Sequence, residues 1–258
     1  MLAIAAICID ATDTRASETQ QGWHNGMPFI YEDGLLNYLG LPREHWSENG
    51  VDLYFSTLVI GQSIVDGGTE EEEEITASYD LQLYLDTASM SWWDNGYALV
   101  RAEGKTDSSG VNPYTGAIIP VNFDAMVPVA DGTGFELTEW WYAHQFSEGK
   151  LELLGGMWDI GRFYDLSPFS GPYPYRFLNS HMFFNSVLLP YAPYNILGAM
   201  AIYKPNPGIT VTTSINDPNS SATDVDWFGE GDFDVMHEWR FMAKPFGKLA
   251  MFLSLIHI

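Results

Sequence analysis

Between Leu137 and Phe146 the chain places a carboxylate, two indoles, a phenol, an imidazole and an amide within one short segment: Glu139, Trp140, Trp141, Tyr142, His144 and Gln145. Aromatic faces pack against the apolar C–H face of a pyranose ring. Carboxylates and guanidinium groups exchange paired hydrogen bonds with vicinal hydroxyls. The same residue types recur as Arg101 and Glu103, as Glu152 and Trp158, and as Arg162, Asp165 and Arg176. Such residue types can bind a polyol, and they can equally pack or pair within a fold.

Other chemistries fit less well. Glu136 and Glu139 are tempting as the carboxylate pair of a glycoside hydrolase. On a strand, however, residues three apart point to opposite faces and do not share a cleft, so no enzyme is expected. His24, His45, His144, His181, His237 and His257 show no ligand spacing. His237–Glu238 is followed by Trp239, Arg240 and Phe241, so the HExxH zinc pattern fails, and neither metal nor cofactor is assigned. The Glu70–Glu74 run reads as a solvated loop, with a divalent-cation site as the alternative.

The elements that position these residues are strands. Period-2 alternation predicts nine of them, near 51–62, 75–87, 95–104, 135–146, 151–159, 196–204, 209–216, 232–244 and 248–252. In 79–86, Tyr79, Leu81, Leu83 and Leu85 share one face, and Asp80, Gln82, Tyr84 and Asp86 the other. Tight turns are expected at Ser147–Lys150, at Pro205–Gly208 and around Pro245–Gly247. Long segments near 105–134, 160–195 and 217–231 alternate with the short joins. That alternation is the pattern of an antiparallel transmembrane β-barrel, with short turns at one end and long loops at the other. Tyr31–Leu41 reads as a short helix in the lead-in over residues 21–50.

Parity then assigns faces. A carboxylate facing lipid is costly, so Glu139 is expected to face a wet interior, bringing Trp141 and Gln145 with it. Trp140, Tyr142 and Phe146 then face outward. By the same argument Leu99, Arg101 and Glu103 point in while Ala98, Val100 and Ala102 point out. In the next strand Glu152, Leu154, Gly156 and Trp158 point in. Trp141 and Trp158 have a second reading, as packing aromatics under an inward-folded loop. Arg101 and Glu103 have one as an ordinary ion pair.

Composition agrees with this architecture. Across 258 residues, 46% are hydrophobic and 15% aromatic, including 9 Trp, 14 Tyr and 15 Phe. Interface girdles and sugar-stacking platforms both absorb such an excess. A net charge of −23 with only 11 Lys plus Arg excludes a nucleic-acid interface, which needs cations to neutralise phosphates. No apolar stretch is long enough for a membrane helix, so a membrane-spanning chain of this kind must be a barrel.

At this point a resemblance appears. Leu41–Gly68 (LPREHWSENGVDLYFSTLVIGQSIVDGG) is similar to the entry segment of carbohydrate-selective porins of the OprB type. Leu137–Asp159 (LTEWWYAHQFSEGKLELLGGMWD) resembles that family's L.E.WY.Q.F..GKL.L..G..D hairpin. Phe163-Tyr164-Asp165, Arg176-Phe177-Leu178-Asn179, Leu197-Gly198-Ala199 and Asn216-Asp217-Pro218 continue it. The lead-in departs from the family pattern, with Pro42 and His45–Trp46 where a Gly-Gly dipeptide is usual. The resemblance implies a barrel of about sixteen strands, of which residues 51–252 would supply about nine. It also implies an outer-membrane porin of a Gram-negative bacterium, passing mono- or disaccharides by passive diffusion. Its partners would be small sugars and outer-membrane lipid, with self-association into a homo-oligomer left open. The implied lumen contacts are Glu139, Trp141, Gln145, Trp158, Arg101, Glu103, Arg162, Asp165 and Arg176. The competing functions are a general or cation-preferring diffusion porin and a soluble β-sandwich lectin.

Both ends invite separate readings. Leu2–Ile9 (LAIAAICI) is similar to the apolar core of a secretory signal without its basic flank, so residues 1–20 are expected to be a truncated leader. Leu253–Ile258 (LSLIHI) is what a sequencing-library transposon end encodes in frame, so 253–258 are expected to be an adapter artefact.

Overall fold

The computed structural model describes residues 2–10, 43–106, 108–128, 134–164, 179–180, 194–222, 224–225, 228–229, 231–243 and 251–257. It is an antiparallel all-β chain whose ten strands form one sheet in chain order. The strands are β1 (Leu2–Asp10), β2 (Val51–Ile64), β3 (Glu73–Asp86), β4 (Gly96–Lys105) and β5 (Phe135–Phe146), then β6 (Leu151–Asp159), β7 (Asn195–Asn206), β8 (Ile209–Asp217), β9 (Asp234–Ala243) and β10 (Met251–His257). Among the described residues two short α-helices, α1 (Arg43–Glu48) and α2 (Ile160–Phe163), precede β2 and follow β6. Among the described residues no helix is long and apolar enough to cross a membrane.

Eight of the nine predicted strands lie within a few residues of their expected bounds. The ninth, expected at 248–252, is found at Met251–His257 and runs through the LSLIHI segment, paired with β9. The apolar run expected as a leader core forms β1, with Leu2 opposite Ile64 and Asp10 opposite Ser56. A run rich in alanine and isoleucine satisfies the free edge of β2 as readily as it serves a leader. Tyr31–Leu41 and the turn around Pro245–Gly247 lie outside the described residues.

Connections alternate as expected. β5 and β6 are joined by Ser147–Lys150, where Ser147, Glu148 and Gly149 all have positive φ, and β7 and β8 by a two-residue turn. The joins after β4, β6 and β8 are long.

The chain divides into two compact units. The first comprises residues 1–83, 101–137 and 170–183; the second comprises 84–100, 138–169 and 184–258. Within each, several strands bury charged or polar side chains beside apolar ones and expose apolar residues on the other face, whereas β2 buries mainly Tyr54, Leu58, Ile60 and Ile64 and β7 mainly Ile196, Leu197, Met200 and Ile202. In β4, Leu99, Arg101 and Glu103 are buried while Val100 is exposed; in β6, Glu152 and Leu154 are buried while Leu153 is exposed. In β9, Met236 and Glu238 are buried and Val235 and Trp239 exposed; in β5, Glu139, Trp141 and Ala143 are buried and Tyr142 exposed. A sheet surrounded by water does the reverse. Burying a Leu or Phe gains about 1.5–3 kcal/mol, and a buried carboxylate is costly unless paired. Exposed apolar side chains beside buried charged ones are compatible with strands that meet an apolar environment on their exposed face.

Close backbone approach fixes one row of this sheet. Trp141, Gly156, Gly198 and Asn216 stand opposite one another across β5, β6, β7 and β8. A Cβ on Gly156 would lie 2.2 Å from the Trp140 carbonyl oxygen, and one on Gly198 would lie 2.2 Å from that of Ile215. The glycines are what let these strands pair at that level.

Candidate functional site: carboxylates and guanidiniums on the buried face

In the first unit, β3 and β4 bring Asp80, Arg101 and Glu103 together. The Arg101 guanidinium donates to both Asp80 oxygens, from Nε at 3.1 and 3.0 Å and from Nη2 at 2.6 Å. The same Nη2 lies 2.8 Å from Glu103 Oε1. Gln82 donates to Asp80 at 3.1 Å. All three ionic side chains are largely buried, so one guanidinium answers two carboxylates with little water between them.

In the second unit, Arg162 reaches back from α2 to β5. Its Nε and Nη2 fork onto Glu139 Oε2 and Oε1 at 2.7 and 2.6 Å, the bidentate geometry that only Arg offers a carboxylate. Arg162 also donates to the Tyr84 hydroxyl at 3.4 Å, and Trp141 Nε1 to Glu139 at 3.3 Å. The turn is set locally, since Asp159 caps α2 by accepting from Gly161 N at 2.7 Å. Phe163 then packs edge-to-face on Trp141 and on Trp158, with ring centroids 5.7 and 6.4 Å apart. Trp158 is fully buried and Trp141 nearly so. The two indoles therefore serve as packing aromatics beneath Phe163, the second of the readings their positions allowed.

Gln145 belongs to a separate group, nearer the β5–β6 turn. Tyr97 donates to Glu152 Oε2 at 2.6 Å, and Gln145 donates to both the Tyr97 hydroxyl, at 3.0 Å, and Glu152, at 3.3 Å. Glu152 is fully buried, and among the described residues its Oε1 accepts no hydrogen bond. Further along the sheet Arg240 pairs with Glu238 and donates to the Phe163 carbonyl at 2.9 Å. The Tyr164 hydroxyl meets Ser214 at 2.6 Å, and burial raises its phenol above the ordinary value, so it acts as a neutral hydrogen-bonding group.

Thus Glu139, Trp141, Trp158 and Arg162 come together, Arg101 and Glu103 form a pair with Asp80, and Gln145 joins Glu152. Asp165 and Arg176 lie outside the described residues. Sequence reasoning placed Glu152 on the inward face but missed Asp80, Tyr84, Tyr97, Glu238 and Arg240 as members of these groups. Parity was signal enough for several of them: Tyr97 shares the face of Arg101, and Arg240 that of Glu238. The Glu70–Glu74 run lies at the β2–β3 connection, where Glu74 accepts from Ser108 at 3.1 Å. Among the described residues no group of three or more His, Cys, Asp or Glu is arranged to hold a metal.

Comparison with known proteins turns on the fold. No family model matches the sequence, and no curated protein matches it either. Among solved structures, the high-pH structure of Pseudomonas putida OprB is similar, with a TM-score of 0.61 at 16% identity. The match covers 80% of this chain and 51% of that one, so this chain spans about half of its length. What the two share is the antiparallel sheet of a porin-type fold.

Proposed function

We propose that this chain is part of an outer-membrane porin that passes neutral mono- or disaccharides by passive diffusion, with the buried face lining the passage and the exposed apolar face meeting lipid. The observation that carries the reading is the inverted sheet, with Arg101, Glu103, Glu139, Glu152 and Glu238 buried and Val100, Tyr142, Leu153 and Trp239 exposed. The porin-type fold supports it independently.

A passage for sugars must bind weakly and repeatedly, so that solute both enters and leaves. Carboxylate–guanidinium pairs do this well. Glu139–Arg162 and Asp80–Arg101–Glu103 present donors and acceptors side by side, the first pair neutral and the second group left with one negative charge. A sugar hydroxyl can share the bonds of the first pair without meeting a strong uncompensated field. The contact residues proposed are Glu139, Arg162, Arg101, Glu103 and Gln145, with Trp141 and Trp158 holding the wall behind them. A cation-preferring pore is the second reading, favoured by the two carboxylates that share Arg101.

Conductance block separates the two. In planar bilayers the full-length protein is expected to carry a current that glucose or a disaccharide reduces in a concentration-dependent way. A cation-selective current indifferent to sugars would replace the first reading by the second.

A further inference from the structure

Two histidines share one level of the sheet on the exposed face of the second unit. His144 on β5, Leu153 on β6, Ala201 on β7, Thr213 on β8 and His237 on β9 stand opposite one another in register. The row nearer the short turns holds Phe146, Leu151, Tyr203, Val211 and Trp239. The row on the far side holds Tyr142, Gly155, Ala199, Ile215 and Val235. None of these residues is Asp, Glu, Lys or Arg, and Glu152 and Glu238 are buried on the other face. Within these rows a positive charge can therefore reside only on the two imidazoles.

Both rings are held in the same way. The Tyr142 hydroxyl lies 2.9 Å from His144 Nδ1 and accepts from Trp93 Nε1 at 2.6 Å. An indole N–H only donates, so the phenol proton is left for Nδ1 and the imidazole proton sits on Nε2. Thr213 Oγ1 stands 2.7 Å from His237 Nδ1, giving the second ring a hydroxyl partner at the same atom. On the turn side each imidazole meets an aromatic ring, Phe146 at 4.7 Å from His144 and Trp239 at 5.7 Å from His237 between centroids. Both histidines are half-buried, and among the described residues no hydrogen bond reaches Nε2 of either. Beyond them Gly155 and Ala199 are exposed, which leaves room for a chain against the sheet.

An imidazole on an otherwise uncharged face complements an anion. Aromatic rows mark the level at which lipid headgroups begin, and the anion that glycerophospholipids share at that level is the phosphate diester. Donation from an imidazolium to phosphate is charge-assisted and stronger than a neutral bond. Four inter-strand spacings put the two rings about 19 Å apart, too far to share one phosphate. We propose that His144 and His237 form two separate sites for the phosphate of a membrane glycerophospholipid, each donating from Nε2, with the acyl chains extending away from the short turns. This rests on the reading of the exposed face as the one that meets lipid.

The test uses the full-length protein with isotope-labelled histidine, refolded into phosphatidylglycerol bilayers. Nitrogen–phosphorus dipolar dephasing in solid-state NMR reads contact between each ring and lipid phosphate. Two imidazole signals are expected to dephase, and His144→Gln and His237→Gln should each abolish one and leave the other. Ring signals that keep full intensity, or that dephase but survive both substitutions, overturn the proposal. If a variant does not assemble, its ring is assigned through its own backbone in the wild type, and the dephasing there decides. A parallel sample in dodecyl maltoside with inorganic phosphate tests the source. Equal dephasing in that sample means free phosphate suffices and overturns the lipid assignment. Sugar entry into liposomes is expected to be unchanged in both variants, since the rings lie on the face opposite the proposed passage. An inserted wild-type protein that admits no sugar sinks the channel reading alone, and the dephasing still decides the phosphate sites. A protein that stays in solution without detergent overturns both.

Discussion

Arg162 and Glu139 show how much depends on pairing at the residue scale. The carboxylate is fully buried and both its oxygens are taken by one guanidinium. Removing one partner strands the other charge, which typically costs about 3–5 kcal/mol, whereas removing both costs far less. Arg162→Met and Glu139→Gln are each expected to destabilise the protein by that order in urea unfolding from lipid vesicles. The double variant should recover a large part of the loss, and strict additivity would count against a coupled pair. Both single variants should also slow sugar entry. Glu139, Arg101 and Glu103 were legible in the sequence, because a carboxylate or guanidinium on a strand fixes the parity of its neighbours. The partner of Glu139 was not, because Arg162 meets it from α2, beyond the end of β6 and twenty-three residues along the chain. For Trp158 the sequence left stacking and packing both open, because the contact with Phe163 depends on residues beyond the strand.

At the scale of the element, strand positions were nearly all legible, since a two-residue period is a local property of the chain. Turn chemistry added the ends, as at Ser147–Lys150. The ends of the sheet were less so: apolar runs such as Leu2–Asp10 carry the same local signal whether they leave as a leader or pair as a strand. Two predictions belong here. Leu153→Arg puts a cation on the exposed face of β6, and is expected to cost about 2–4 kcal/mol in lipid if that face meets the bilayer core. A neutral effect, measured in the same unfolding assay, would mean that the face meets water. Gly156→Ala places a Cβ against the Trp140 carbonyl and Trp141 backbone, and is expected to impair assembly of the β5–β6 hairpin, read as loss of the heat-modifiable folded band. A variant that assembles normally would show that the close approach is dispensable.

For the whole molecule, the distribution of polarity decides the account. The many exposed aromatic and aliphatic residues count against a water-soluble lectin, in which they would form the core, while the net charge of −23 favours neither reading. The outward row His237–Trp239–Phe241, with the Trp239 and Phe241 rings stacked 6.1 Å apart, and the run Trp93–Tyr142–His144–Phe146 fit a membrane interface better. The general architecture was visible in the sequence because long and short joins alternate along it. How the long joins pack was not, since contacts such as Asn122 with Gln62 link residues sixty positions apart. The most direct measurement is liposome swelling with the full-length protein, comparing neutral mono- and disaccharides with charged solutes of similar size. The account predicts faster entry of the sugars, reduced in Glu139→Gln. No swelling, from a protein that stays in solution without detergent, would contradict it.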